Sequence, residues 1–200
     1  MLVLGSTDRY CRDARNLQVN RMRSYVSTEL MQALVDHARA AGSAILEIYD
    51  RDDFSVTTKN DESPLTEADL ASHRILMSSL RASMPDVPIL SEESEMPAFD
   101  ERRSWHTYFL IDPLDGTKEF INRNGEFTVN IALIQDGMAV MGVVHVPVTG
   151  QTYTGMVASG RRVAHLVDAD DQATEIRTRS LRRGTLGVVG SRRHGSEALA

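Results

Sequence analysis

The chain has 200 residues, 42% hydrophobic and 25% charged, a globular composition with neither the roughly 18 consecutive apolar residues of a membrane span nor the bias of collagenous or disordered chains. Twenty-eight acidic against 22 basic side chains give a net charge of -6, so there is no basic field for a nucleic-acid backbone and a polyanionic ligand needs a cation beside it. One cysteine, Cys11, makes neither an internal disulfide nor a thiolate metal cluster, which suits a reducing cytoplasm.

Residues 1–27 carry Arg9, Arg12, Arg15, Arg21 and Arg23 with few large apolar side chains and no export signal, and read as an unpacked extension. Organised sequence begins near Thr28. Leu30, Leu34, Ala38, Ala41, Ile45 and Ile48 recur at helical spacing, with Thr28 as the expected cap, so the first helix ends near Asp50. Phe54 to Lys59 reads as a short strand and Asn60 to Pro64 as a loop. A second helix opens at Thr66, carries Leu76 and Leu80, and stops at Pro85.

The period then changes to strands. Val87 to Leu90 and Tyr108 to Ile111 are short apolar runs, each delivering the chain into carboxylates. Phe127, Val129, Ile131 and Leu133 alternate with their neighbours, Asp136-Gly137 supplies a hairpin turn, and Val140 to Val146 returns. Turns at Thr149-Gly150 and Ser159-Gly160 flank a strand at Gln151 to Val157. Val163 to Val167, an acidic loop from Asp168 to Asp171, and a strand at Leu186 to Val189 complete the pattern. His145 lies within an alternating strand and reads as structural.

The chemistry lies in Ser91-Glu92-Glu93-Ser94 and in Asp112-Pro113-Leu114-Asp115-Gly116-Thr117. Alone, either segment reads equally well as solvated charge or as a turn. Together they place several acids at the ends of apolar strands, where their mutual repulsion calls for cations. Hard oxygen donors suit Mg²⁺ better than zinc. Gly116 permits close backbone approach, and a helix from Gly116 to Phe120 would turn its amides toward an anion.

Spacing excludes other acid-rich sites. A calcium loop needs acids at alternate positions, whereas Asp112 and Asp115 are three apart. An aspartyl-nucleophile phosphatase of the haloacid dehalogenase type has one residue between its two acids; here Pro113 and Leu114 intervene. No phosphate-binding Gly-Lys-Ser/Thr loop and no Gly-x-Ser-x-Gly elbow occurs.

Glu92-Glu93 followed by Asp112-Pro113-Leu114-Asp115-Gly116-Thr117 resembles the motif pair of the lithium-sensitive, Mg-dependent phosphatases that include inositol monophosphatase. The continuation from Lys118 through Asn124-Gly125-Glu126-Phe127-Thr128-Val129-Asn130 to Ile134 is similar to the bacterial 3'(2'),5'-bisphosphate nucleotidase branch. The resemblance runs from about Thr28 to the end. It implies a layered α/β (αβαβα) sugar-phosphatase-like fold, with an N-terminal α+β part built on an antiparallel sheet at 28–158 and the start of a truncated C-terminal α/β part at 159–200.

The resemblance also implies two or more Mg²⁺ ions held by Glu92, Asp112, Asp115 and the Leu114 carbonyl. Thr117, partnered by Asp69, would position the attacking water, and Asp69 reads equally as half of a capping box begun by Thr66. Glu92, Leu114, Asp115, Gly116, Thr117, Ser191 and His194 would contact the substrate, with Arg193 standing where the branch has a serine. Lys59 is a further candidate, and Glu93 supports the site through its neighbours. The expected reaction is hydrolysis of the 3'-phosphate of adenosine 3',5'-bisphosphate to AMP; an inositol monophosphate phosphatase or a non-catalytic fragment that binds metal or a partner are the alternatives.

A later Trp-Asp motif of the family has no counterpart: Trp105 is the only tryptophan and is followed by His106. The chain is therefore expected to lack a C-terminal segment. The remaining expectations are a small phosphate substrate, no nucleic-acid polymer, and a cytoplasmic protein compatible with peripheral association at the inner membrane. The sequence leaves oligomeric state open.

Overall fold

A computed structural model describes residues 25–58, 64–158 and 160–180. Helix α1 (Thr28–Tyr49) is followed by β1 (Val56–Thr58) and β2 (Pro64–Thr66), an antiparallel pair, and by helix α2 (Glu67–Ser83). Then come β3 (Ile89–Ser91), α3 (Phe99–Arg102), β4 (Thr107–Asp115), α4 (Thr117–Ile121), β5 (Thr128–Gln135), β6 (Met138–Val146), β7 (Gln151–Ala158), β8 (Arg161–Val167) and β9 (Ala173–Glu175). Strands β3 to β9 form one seven-stranded sheet in sequence order; β3 and β4 run parallel and every other neighbour is antiparallel.

Both long helices lie on one face of this sheet. Leu34, Ala38, Ala41 and Ile45 of α1 and Leu76 and Leu80 of α2 are fully buried, meeting Phe109, Ile111, Val129, Ile131, Leu133, Met141 and Val143 from the strands. Each large side chain so buried contributes about 1.5–3 kcal/mol. The helix comes close over β6 because Gly42 has no side chain: a Cβ there would lie 2.7 Å from the His145 ring. His145 is buried with Nδ1 2.9 Å from the Thr152 hydroxyl, in keeping with a structural histidine. Leu110, Val144, Tyr153 and Val157 point to the opposite, open face.

Several boundaries differ from expectation. Ser27, not Thr28, caps α1: its extended backbone lets its hydroxyl accept the Leu30 N–H at 3.1 Å. Pro64 belongs to β2 rather than to a loop. Helix α4 begins at Thr117, with Gly116 in the left-handed region at φ 100° just before it. Strand β4 does not stop at Ile111 but runs through the acids to Asp115. The boundary expected between 158 and 159 falls at the β7–β8 connection, and strands on both sides of it belong to the same sheet. Lys59, the strand at 186–189, Ser191 and His194 lie outside the described residues. No helix among the described residues is long and apolar enough to cross a membrane.

Helix α2 opens with a full capping box. The Thr66 hydroxyl accepts the N–H groups of Ala68 (3.2 Å) and Asp69 (3.4 Å), and Asp69 Oδ2 accepts the Thr66 N–H at 2.8 Å. Thr66→Ala is expected to lower unfolding stability by about 1–2 kcal/mol, read from the urea midpoint. An unchanged midpoint would show that the box is energetically idle.

Candidate active site

The parallel β3–β4 pair sets the site. Ser91 pairs with Ile111, and the Glu92 N–H extends the ladder by donating to the Ile111 carbonyl at 3.2 Å. Glu92, just past the end of β3, and Asp112, within β4, therefore lie side by side on adjacent parallel strands.

Asp112 and Asp115 are three residues apart, which in a regular strand would put them on opposite faces. The ladder shows how they are reconciled. Asp112 pairs with Asn130 and Asp115 with Thr128, so three steps on β4 match two on β5, and the extra residue makes a bulge. Pro113 sits within it, where a missing N–H is tolerated. Asn130 Nδ2 donates to Asp115 Oδ2 at 3.1 Å, and the Thr128 hydroxyl donates to Asn130 Oδ1 at 3.1 Å, so the Asp115 carboxylate has a fixed orientation.

Beyond the bulge, the turn at Gly116 brings Thr117 under the start of α2. The Thr117 hydroxyl lies 3.1 Å from Asp69 Oδ1 and 3.4 Å from the Leu114 carbonyl. Asp69 is fully buried, and its other oxygen accepts both the N–H and the hydroxyl of Thr66. The capping box and the contact with Thr117 are thus made by the two oxygens of one carboxylate. Either expected role of Asp69 is compatible with the other.

Burial pushes the Asp112 carboxyl up to about 8, with the neighbouring Glu92 and Asp115 charges and a hydrogen bond shared with Glu92 acting in the same direction. Asp112 Oδ1 is buried without a hydrogen-bond partner. A buried carboxylate oxygen in that state is costly unless a cation compensates it. The acids are neighbours rather than a closed shell: among the described residues no three acidic, histidine or cysteine side chains stand close enough to hold a metal as they are placed. The donor set is oxygen only, and the Asp112 carboxyl has two further acids as neighbours, so these residues fit a hard divalent cation better than a soft one.

The structure brings together Asp69, Glu92, Asp112, Leu114, Asp115, Gly116 and Thr117. A family model for the inositol monophosphatase family matches residues 27–196. The chain belongs to the inositol monophosphatase family. It is 53% identical over 118 residues to the 3'(2'),5'-bisphosphate nucleotidase CysQ of Escherichia coli (strain K12), covering 58% of this chain and 48% of that protein. It is 42% identical over 140 residues to CysQ of Aggregatibacter actinomycetemcomitans, covering 70% of this chain and 52% of that one. The crystal structure of CysQ from Bacteroides thetaiotaomicron, a bacterial member of the family, superposes with a TM-score of 0.61 at 36% identity, covering 77% of this chain and 59% of that one. The chain thus spans about half the length of the curated relatives it matches.

No role follows from the sequence alone for Ser72, His73, the Ser91 hydroxyl or the Asn130 amide, all of which hydrogen-bond to segments of the site. Asn130 had a readable signal, since it is an amide side chain on the open-face phase of an alternating strand. Ser72 and His73 follow Asp69 by three and four positions, which places them on the same helical face.

Proposed function

We propose that this chain carries the metal-binding residues of an Mg-dependent phosphatase that hydrolyses the 3'-phosphate of adenosine 3',5'-bisphosphate to AMP and phosphate. The observation that carries this reading is the buried, unpartnered Asp112 oxygen on a carboxyl whose neighbours are Glu92 and Asp115, with the Thr117–Asp69 hydrogen bond two residues beyond Asp115. The choice of substrate rests on the similarity to CysQ nucleotidases.

Glu92, Asp112, Asp115 and the Leu114 carbonyl would hold the metal, which when bound supplies Lewis-acid polarisation of phosphate and water. Thr117 donates its only proton to Asp69 or Leu114, so its oxygen lone pairs are left to accept from a water and orient it. Asp69, locked by Thr66 on its other oxygen, keeps that hydroxyl turned the right way. Glu92 stands on the adjoining strand end to draw a proton from the water. Gly116 lets backbone approach the phosphate without a side chain between. Ser191 and His194 would meet the nucleotide from the segment beyond residue 180.

Phosphate release should be measured on the full chain with adenosine 3',5'-bisphosphate and with inositol 1-phosphate, each with Mg²⁺ and with excess chelator. Mg-dependent release favouring the bisphosphate is the expected result. Preference for inositol 1-phosphate would reassign the substrate, and a folded chain releasing phosphate from neither would favour a metal- or partner-binding role.

A further inference from the structure

The segments that carry the candidate metal ligands are all fastened to one face of α2. Asp69 takes the Thr117 hydroxyl, as described. One turn on, the fully buried Ser72 hydroxyl donates to the Pro113 carbonyl at 2.6 Å, inside the bulge that reconciles Asp112 with Asp115. Beside it, His73 Nδ1 lies 2.9 Å from the Ser91 hydroxyl, and that buried oxygen also accepts the Glu93 N–H at 3.3 Å. Burial and then the charges of Arg81 and Arg74 hold His73 below the usual histidine range, so its ring is neutral near pH 7 and Nδ1 can accept the Ser91 proton.

These contacts matter because β3 is only three residues long and, among the described residues, lies at the edge of the sheet with β4 as its single strand neighbour. Acids that repel one another will spread unless their backbones are held, and here α2 adds to the hold of the short β3–β4 ladder. We propose that Ser72 and His73 are positioning residues that set the spacing between the Asp112–Asp115 bulge and the Glu92 turn, and through it the affinity of the acid cluster for a divalent cation. The proposal rests on the metal-binding reading above. It adds two residues that touch neither metal nor substrate.

Mn²⁺ binding to the full chain, followed by the loss of the free-ion electron paramagnetic resonance signal, tests this without reference to activity. His73→Leu and Ser72→Ala should each weaken Mn²⁺ binding by about tenfold or more, the scale on which groups that orient metal ligands act. His73→Asn, whose amide oxygen can accept in place of Nδ1, should return affinity close to that of the wild type. Unchanged affinity in both His73→Leu and Ser72→Ala overturns the proposal. It is also overturned if His73→Asn binds as weakly as His73→Leu and both lose melting temperature without metal, because the role would then be packing alone. A wild-type chain that takes up no Mn²⁺ removes the metal reading itself, an outcome distinct from the other two.

Discussion

Asp112→Asn is expected to abolish Mg-dependent phosphate release and, in the same variant, to raise the melting temperature of the metal-free protein. The activity loss should exceed about a hundredfold, since removing groups that merely orient a metal ligand already costs up to that much. The stability gain follows from the site's electrostatics. The Asp112 carboxyl lies at about 8 in the folded chain against an ordinary value of 3.8. Between those limits the folded chain holds a proton that the unfolded chain releases, so stability falls as pH rises from about 4 to about 8 and is level above that.

Asparagine removes the titration. The variant should therefore match the wild type near pH 4 and exceed it increasingly up to pH 8. Asp112 is partly reached by solvent, which screens the repulsion, so the gain is set at about 1–3 kcal/mol, or about 2–4 °C of melting temperature for each kcal/mol. Thermal melts in chelator across pH 4.5 to 8.5 test this. A variant no more stable than wild type at pH 8 would mean that Asp112 is not held against the two neighbouring acids.

Gly116→Ala should cost about 3 kcal/mol, combining backbone strain with overpacking. Gly116 has φ 100°, and an added Cβ would sit 2.9 Å from the Glu126 carbonyl oxygen and 3.2 Å from the Phe127 Cα. Both are backbone atoms, so no side chain can swing aside. Relief by moving α4 would drag on Phe120, which is fully buried with its ring 5.2 Å from Tyr49, 5.0 Å from Phe54 and 5.4 Å from Phe127. Gly137 is the control: it too has positive φ, at 77°, but a Cβ there meets nothing within 4 Å. Gly137→Ala should cost only about 1 kcal/mol. Equal losses in urea unfolding would show that the close approach at Gly116 is not what constrains it.

Much of this architecture was legible in the residues. The spacing of Leu34, Ala38, Ala41 and Ile45 carries the helix period, and the Asp136-Gly137 turn adopts the two positive φ values, 47° and 77°, that its composition demands. The acids were legible as a pair of motifs. What stayed hidden was non-local. Pro113 reads as the end of a strand, yet β4 continues past it because a bulge absorbs the residue that cannot donate. The parallel pairing of β3 with β4 has no local trace, since only the register across the intervening segment reveals it. Helix α3 and strand β9, with four and three residues, are too short to display a period. Ser27 and Thr28 are equally good caps by composition, and only the backbone at Ser27 decides between them.

The order of the sheet has a kinetic consequence. From β4 to β9 each strand pairs with its successor in the chain, so that portion can form by successive local closures. Strand β3 also pairs with its successor, but in parallel, which needs the crossover through α3 to close rather than a tight turn. A three-residue edge strand opens more readily than the centre of the sheet, so hydrogen exchange at 89–92 should run ahead of exchange in the β5–β6 ladder. A divalent ion held by Glu92 and Asp112 would act as a clasp on that edge, slowing its opening.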